Sequence, residues 1–171
     1  MARKTSLRAY QAAVAERLKN LSLQEPSAAS KLGFLVGDGR WLVNLYDVAE
    51  VLPAPPIVPI PLTRACFNGV CNVRGNLYGV MDFSAFIGGP PTAPSLESRL
   101  LLLPSLLVQG AALLVSRMAG LRNPVSFTAV ERESDASPWV SSIYHDAEGN
   151  LWRELDVKSL VQQEPFLNVG R

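Results

Sequence analysis

Histidine is nearly absent from this chain: among 171 residues there is one, His145. A single imidazole excludes two-histidine zinc motifs, and Cys66 and Cys71 have no second pair to complete a metal-binding cluster. Two cysteines make no disulfide framework, read as small buried hydrophobes and fit a reducing compartment. No G-x-S-x-G elbow, P-loop or G-x-G-x-x-G occurs, and Gly37-Asp38-Gly39 is too short to cradle a phosphate. His145 stands beside Asp146 and just before the turn signal Glu148-Gly149-Asn150, as an exposed hairpin histidine would. The carboxylates are scattered, and no pair is placed for acid–base work. These absences speak against an enzyme, a resident metal or a cofactor.

Net charge is also missing. Sixteen basic residues meet fifteen acidic ones, for +1 overall. A chain so near neutrality has no global field for gripping a phosphate backbone. No apolar run is long enough for a membrane-spanning helix. The best candidate, Leu100 to Val115, falls short of the about 20 residues required and contains Pro104, Gln109 and Gly110. It reads as a buried β-hairpin. Near the start of the chain, Gln11, Glu16 and Arg17 interrupt any apolar core of a signal peptide, so none is expected.

What is present is a globular composition, 48% hydrophobic, punctuated by thirteen prolines and twelve glycines. Both residues break helix interiors, which argues against a helix bundle. The first thirty-one residues carry six basic and two acidic side chains, a net +4 that leaves −3 for the rest. Leu7, Tyr10, Val14, Leu18 and Leu21 recur at helical spacing and predict an amphipathic helix from about Ser6 to Leu21. Such a helix packs on its own domain or docks on a partner or an anionic surface. Glu25 to Ser30 reads as a linker, so residues 1–30 form an appendage to a domain over 31–165.

From Lys31 the pattern is that of short strands. Leu32 to Val36 and Arg40 to Leu45 flank the Gly37-Asp38-Gly39 turn. Tyr46 to Leu52 reads as a short strand or turn. Five prolines between Pro53 and Pro61 force an extended course along an edge. Phe67 to Asn76 and Leu77 to Asp82 read as strand, glycine turn and strand, followed by one helical turn over Phe83 to Ile87. Leu100 to Leu103, Ala111 to Ser116 and Val125 to Val130 are further strand candidates. Val140 to Tyr144 and Leu151 to Leu155 form a hairpin, and Asp156 caps a short closing helix to Val161. Nine or ten short strands at regular spacing indicate an all-β barrel or sandwich.

Four segments stand in a telling order: Val48-Ala49-Glu50-Val51, the proline run, Gly69-Val70-Cys71-Asn72-Val73-Arg74-Gly75, and Val80-Met81-Asp82-Phe83. In this order and spacing, from about Leu32 to Val161, the chain resembles the CheW-like family of chemosensory coupling proteins. The resemblance implies an all-β fold of two intertwined five-stranded SH3-like barrels sharing an apolar interface. It implies a non-catalytic adaptor without cofactor. Such a protein would be cytoplasmic and join the regulatory domain of a CheA-type histidine kinase to the cytoplasmic tip of a chemoreceptor. Its membrane association would be only indirect, through the receptor. The basic amphipathic start, the Gly79 to Phe86 segment and the stretch Leu114 to Arg122, with Arg117 and Arg122, resemble the branch serving type IV pili and twitching motility.

The resemblance ties Arg74 to kinase and receptor coupling; the residue pattern alone also permits a turn arginine paired with Glu50. Glu50 carries the same two readings. Asn72 and Gly75 fit the left-handed positions of the turn. Val48 falls either near the inter-barrel groove, as a contact for a helical receptor tip, or in a core. Trp41, Trp139 and Trp152 read as core or edge fillers. The rival class is a nucleic-acid-binding β-barrel tethered by the basic helix. Its usual basic, aromatic-studded strand face has no counterpart in a barrel region of net −3.

Overall fold

The structure is a computed structural model that describes residues 30–132 and 136–170. The helix expected between Ser6 and Leu21 lies outside the described residues. Eleven strands run along the described chain: β1 (Lys31–Val36), β2 (Gly39–Asn44), β3 (Glu50–Pro53), β4 (Phe67–Val73), β5 (Asn76–Asp82) and β6 (Arg99–Leu102). β7 (Ala111–Val115), β8 (Arg117–Arg122), β9 (Thr128–Val130), β10 (Val140–His145) and β11 (Leu151–Leu155) follow. Short helices α1 (Phe83–Phe86), α2 (Val157–Val161) and α3 (Glu164–Leu167) complete the described elements.

The strands form two mixed sheets. The first has the order β8-β1-β2-β11-β10-β9, the second β3-β6-β7-β5-β4. The second sheet is one continuous stretch of chain inserted between β2 and β8. The N-terminal hairpin therefore completes a sheet made otherwise from the C-terminal third. One parallel pair knits each sheet together, β11 with β2 in the first and β5 with β7 in the second. This is the intertwined two-barrel architecture that the family resemblance implies. The first sheet reaches six strands because the three-residue β9 adds to β10.

Alternation along β6 and β7 explains the long apolar run. Leu101, Leu113 and Val115, with Leu103 just beyond β6, face a core shared with Phe34, Val36, Trp41 and Val43 of the first sheet. Leu100, Leu102, Ala112 and Leu114 face the opposite way, toward Cys71, Val73 and Val80. A strand buried on both faces has no polar side to show, so it reads as an unbroken apolar segment. Each such leucine contributes roughly 1.5–3 kcal/mol by burial.

The first sheet differs on the face turned from the shared core. Leu42 and Trp152 are buried there, but charged residues surround them. Lys31 pairs with Glu154, and the Tyr144 hydroxyl donates to Glu154 at 2.8 Å. The Arg122 guanidinium stacks 5.1 Å from the Trp152 ring, and the Trp152 Nε1–H donates to Asp146 at 2.9 Å. That bond from Trp152, with the Asn150 side-chain amide and the backbone N–H groups of Asn150 and Glu148, holds the Asp146 carboxyl well below the usual range.

Three elements depart from expectation. Of the strand candidate Val125 to Val130 only Thr128–Val130 is strand, because a 3-10 turn begins at Pro124 and runs to Ser126. β8 was not legible as a strand: it lies on an edge, is mostly half-exposed or exposed, and carries Gly120 at φ 83°. The segment from Tyr46 to Leu52 is both a turn and a strand. A 3-10 turn over Leu45–Asp47, capped by the Asn44 side chain, leads into β3.

Candidate partner-binding site

The β4–β5 hairpin closes Val73 against Asn76, leaving Arg74 and Gly75 as a two-residue turn. Both have positive φ, 51° and 87°. Successive left-handed residues define the type I′ turn, whose twist matches that of the strands it joins. Asn72 is not itself left-handed, contrary to expectation. Its Oδ1 instead accepts the Gly75 N–H at 2.9 Å and fixes the turn from the strand side. The non-glycine residue held in left-handed geometry is Arg74, at a cost of order 1 kcal/mol.

Arg74 reaches across to Glu50. Its Nη1 and Nη2 donate to the two carboxylate oxygens at 2.8 and 2.7 Å, a fork-to-fork pair. Glu50 opens β3, and β3 and β4 are opposite edges of the second sheet. The contact therefore exists only because the sheet curls until its edges approach. Val58, beyond β3, closes the same gap by exchanging two backbone hydrogen bonds with Val70 of β4, at 2.8 and 2.9 Å. The proline run thus follows an edge, as its composition requires.

Gly69 makes that closure possible. It sits at a bulge with φ 122°, and a Cβ there would stand 2.0 Å from the Val58 carbonyl oxygen. Cys71 and Val73 point into the second sheet's core. Asp82 has a structural task too. It is fully buried, caps α1 through the N–H groups of Ser84 and Ala85, and accepts both the N–H and the hydroxyl of Thr92. Within the G-V-C-N-V-R-G segment, packing or turn geometry accounts for Gly69, Cys71, Asn72, Val73 and Gly75. The Arg74 side chain extends into solvent, 76% exposed against 33% for its partner Glu50.

Val48 is half-buried and packs against the shared core, so the structure places it on the core side. The exposed apolar side chains of this stretch of chain are Leu45, Tyr46 and Val51, with Tyr46 82% exposed. Sequence reading missed these residues. Asn44 was the available signal: a capping residue directly after an apolar strand announces a turn whose side chains leave the sheet. Arg74 and Glu50 together present a planar cation beside a carboxylate. Such a surface suits recognition of a protein, with the guanidinium fork reading carboxylates or backbone carbonyls.

No His/Cys/Asp/Glu group among the described residues could hold a metal. Burial pushes the thiols of both free cysteines up, which makes them poor nucleophiles. Among the described residues no helix is long and apolar enough to cross a membrane.

Comparison with known proteins gives this geometry its family. The model of the CheW-like domain matches residues 31–165. The chain belongs to the CheW-like family. Protein PilI of Pseudomonas aeruginosa is 28% identical over 145 residues, spanning 82% of this chain and 80% of that protein. The chemotaxis protein CheW of Rhizobium meliloti is 35% identical over 66 residues, 39% of this chain and 43% of that one. In three dimensions the scaffolding protein TtCheW of Thermoanaerobacter tengcongensis superposes with a TM-score of 0.67. At 19% identity it covers 80% of this chain and 94% of its own, which establishes the shared CheW-like fold. Other motif-adjacent residues now fall into place within that fold. Arg122 is a packing residue on Trp152, whereas Arg117 opens β8 exposed.

Proposed function

We propose that this CheW-like protein is a non-catalytic adaptor that couples a chemoreceptor to a CheA-type histidine kinase. In this reading one surface takes the kinase regulatory domain and another the cytoplasmic tip of the receptor, at the cytoplasmic face of a receptor array. The observation that carries it is Arg74, an exposed guanidinium at the tip of the β4–β5 hairpin, forked onto Glu50 and held in left-handed backbone geometry. Hairpin tips carry function on a rigid scaffold, and a charged fork held there is placed to meet a partner. Glu50, Asn72 and Val48 complete the proposed site in different ways. Glu50 aims the guanidinium, Asn72 fixes the turn beneath it, and Val48 anchors the segment that leads into β3. Similarity to PilI across most of the chain supports the branch serving type IV pili and twitching motility.

The test is a pair of titrations with the purified chain, one against a CheA-type regulatory domain and one against a receptor-tip fragment. Saturable binding to both, and a ternary complex when all three are mixed, is the expected result. Absence of binding to both, or salt-sensitive binding to nucleic acid in their place, overturns the reading.

A further inference from the structure

Lys31 begins β1 at one end of the first sheet. Its register partners there are Asn44, closing β2, and Arg122, closing β8. The chain before Lys31 therefore leaves the sheet between two strand ends, and each end carries uncovered apolar residues. Leu45 and Tyr46 follow Asn44, while Leu121 precedes Arg122 and Val125 lies just beyond it. Neighbouring strands are about 4.8 Å apart, so Asn44 and Arg122 lie within roughly 10 Å of each other across β1. Charges of both signs gather at the same end: Asp47 lies near enough to Lys158, Asp156 and Glu154 for their charges to interact, and Glu154 is paired with Lys31.

Residues 1–30 match this surface in composition and length. Their apolar stripe, Leu7, Tyr10, Val14, Leu18 and Leu21, needs an apolar surface to cover, and basic residues flank it. A helix from Ser6 to Leu21 would be about 24 Å long, enough to lie across several strand ends. The nine residues from Ser22 to Ser30 span up to about 30 Å, so the tether permits docking without strain. The basic segment also faces a remainder of opposite net sign.

We infer that residues 6–21 dock as an amphipathic helix on their own domain, covering Leu45, Tyr46, Leu121 and Val125 at the end of the first sheet. The occupant is this chain's own N-terminal segment; a second copy, a lipid surface or another protein are the competing occupants.

Paired cysteines in the full-length protein test this. The buried native thiols are retained. Val14→Cys with Leu121→Cys is compared with Ala12→Cys and Leu121→Cys, whose first position faces away from the stripe. Under mild oxidation the Val14 pair is expected to close within one chain about tenfold faster, because docking raises the effective concentration of one face only. Hydrogen exchange supplies a second readout. Amides 45–48 and 119–125 should be protected in the wild-type chain and lose protection in Val14→Glu/Leu18→Glu. Equal closure of the two pairs, closure only between chains, or protection that appears only with anionic vesicles would each overturn the inference.

Discussion

The two barrels solve the same architectural problem with opposite interiors. Inside the second sheet Cys71, Val73, Val80, Leu100, Leu102, Ala112 and Leu114 form a core without a charge. The corresponding face of the first sheet buries Leu42 and Trp152 among Lys31, Glu154, Arg122, Tyr144 and Asp146. An apolar interior tolerates no charge but survives loss of a methyl group. A paired polar interior depends on keeping every partner, since removing one strands the other. The barrel with the apolar interior is the one that carries the Arg74 tip, so the tip sits on the less conditional scaffold.

Substitutions ordered by size can break this comparison. The largest effect is expected in the second sheet: Leu102→Asp buries an unpaired charge and should cost more than about 4 kcal/mol, seen as loss of cooperative unfolding. Glu154→Ala in the first sheet should cost about 3 kcal/mol in denaturant titration, because Lys31 and Tyr144 both lose their acceptor. Adding Lys31→Met to Glu154→Gln should recover most of that loss. If it does not, the pair contributes more than mutual satisfaction. Gly69→Ala should cost about 2 kcal/mol or more, since its Cβ would force the Val58 edge off β4.

The smallest contrast concerns pH. Asp146 has a depressed folded-state pKa, so its contribution is present above the ordinary carboxylate value and fades as pH falls through the folded one. Asp146→Asn should flatten the acid limb of stability against pH. An unchanged limb would show that the hub around Trp152 is not acid-labile.

How much of this was legible beforehand depended on the kind of side chain. Leu100 to Val115 announced two buried strands because apolar runs have few alternatives when prolines and glycines divide them. Asp156 and the turn at Glu148 to Asn150 were readable from local chemistry alone. The polar interior of the first sheet was not, because Lys31, Arg122 and Glu154 look like surface residues until strands distant in sequence bring them together. β8 hid for a related reason: Arg117 to Arg122 has no clean alternation, and pairing with β1 alone makes it a strand. At the site, Arg74 and its pairing with Glu50 were both visible as possibilities. The left-handed geometry was assigned to Asn72 when it belongs to Arg74, because an asparagine accepts that geometry more readily than an arginine does.

In the proposed function Arg74 acts outward and does not hold the fold together. Its pair with Glu50 is largely exposed, and exposed pairs contribute about 0–1 kcal/mol. Thermal melting should be measured beside kinase-domain binding for the wild type, Arg74→Ala and Arg74→Lys. Arg74→Ala is expected to unfold within about 1 kcal/mol of the wild type and to lose about 2 kcal/mol or more of binding. Arg74→Lys should restore part of the binding only, since an ammonium cannot reproduce the fork. A large fall in melting temperature with a parallel loss of binding would contradict the account and make the Arg74–Glu50 pair a structural clasp.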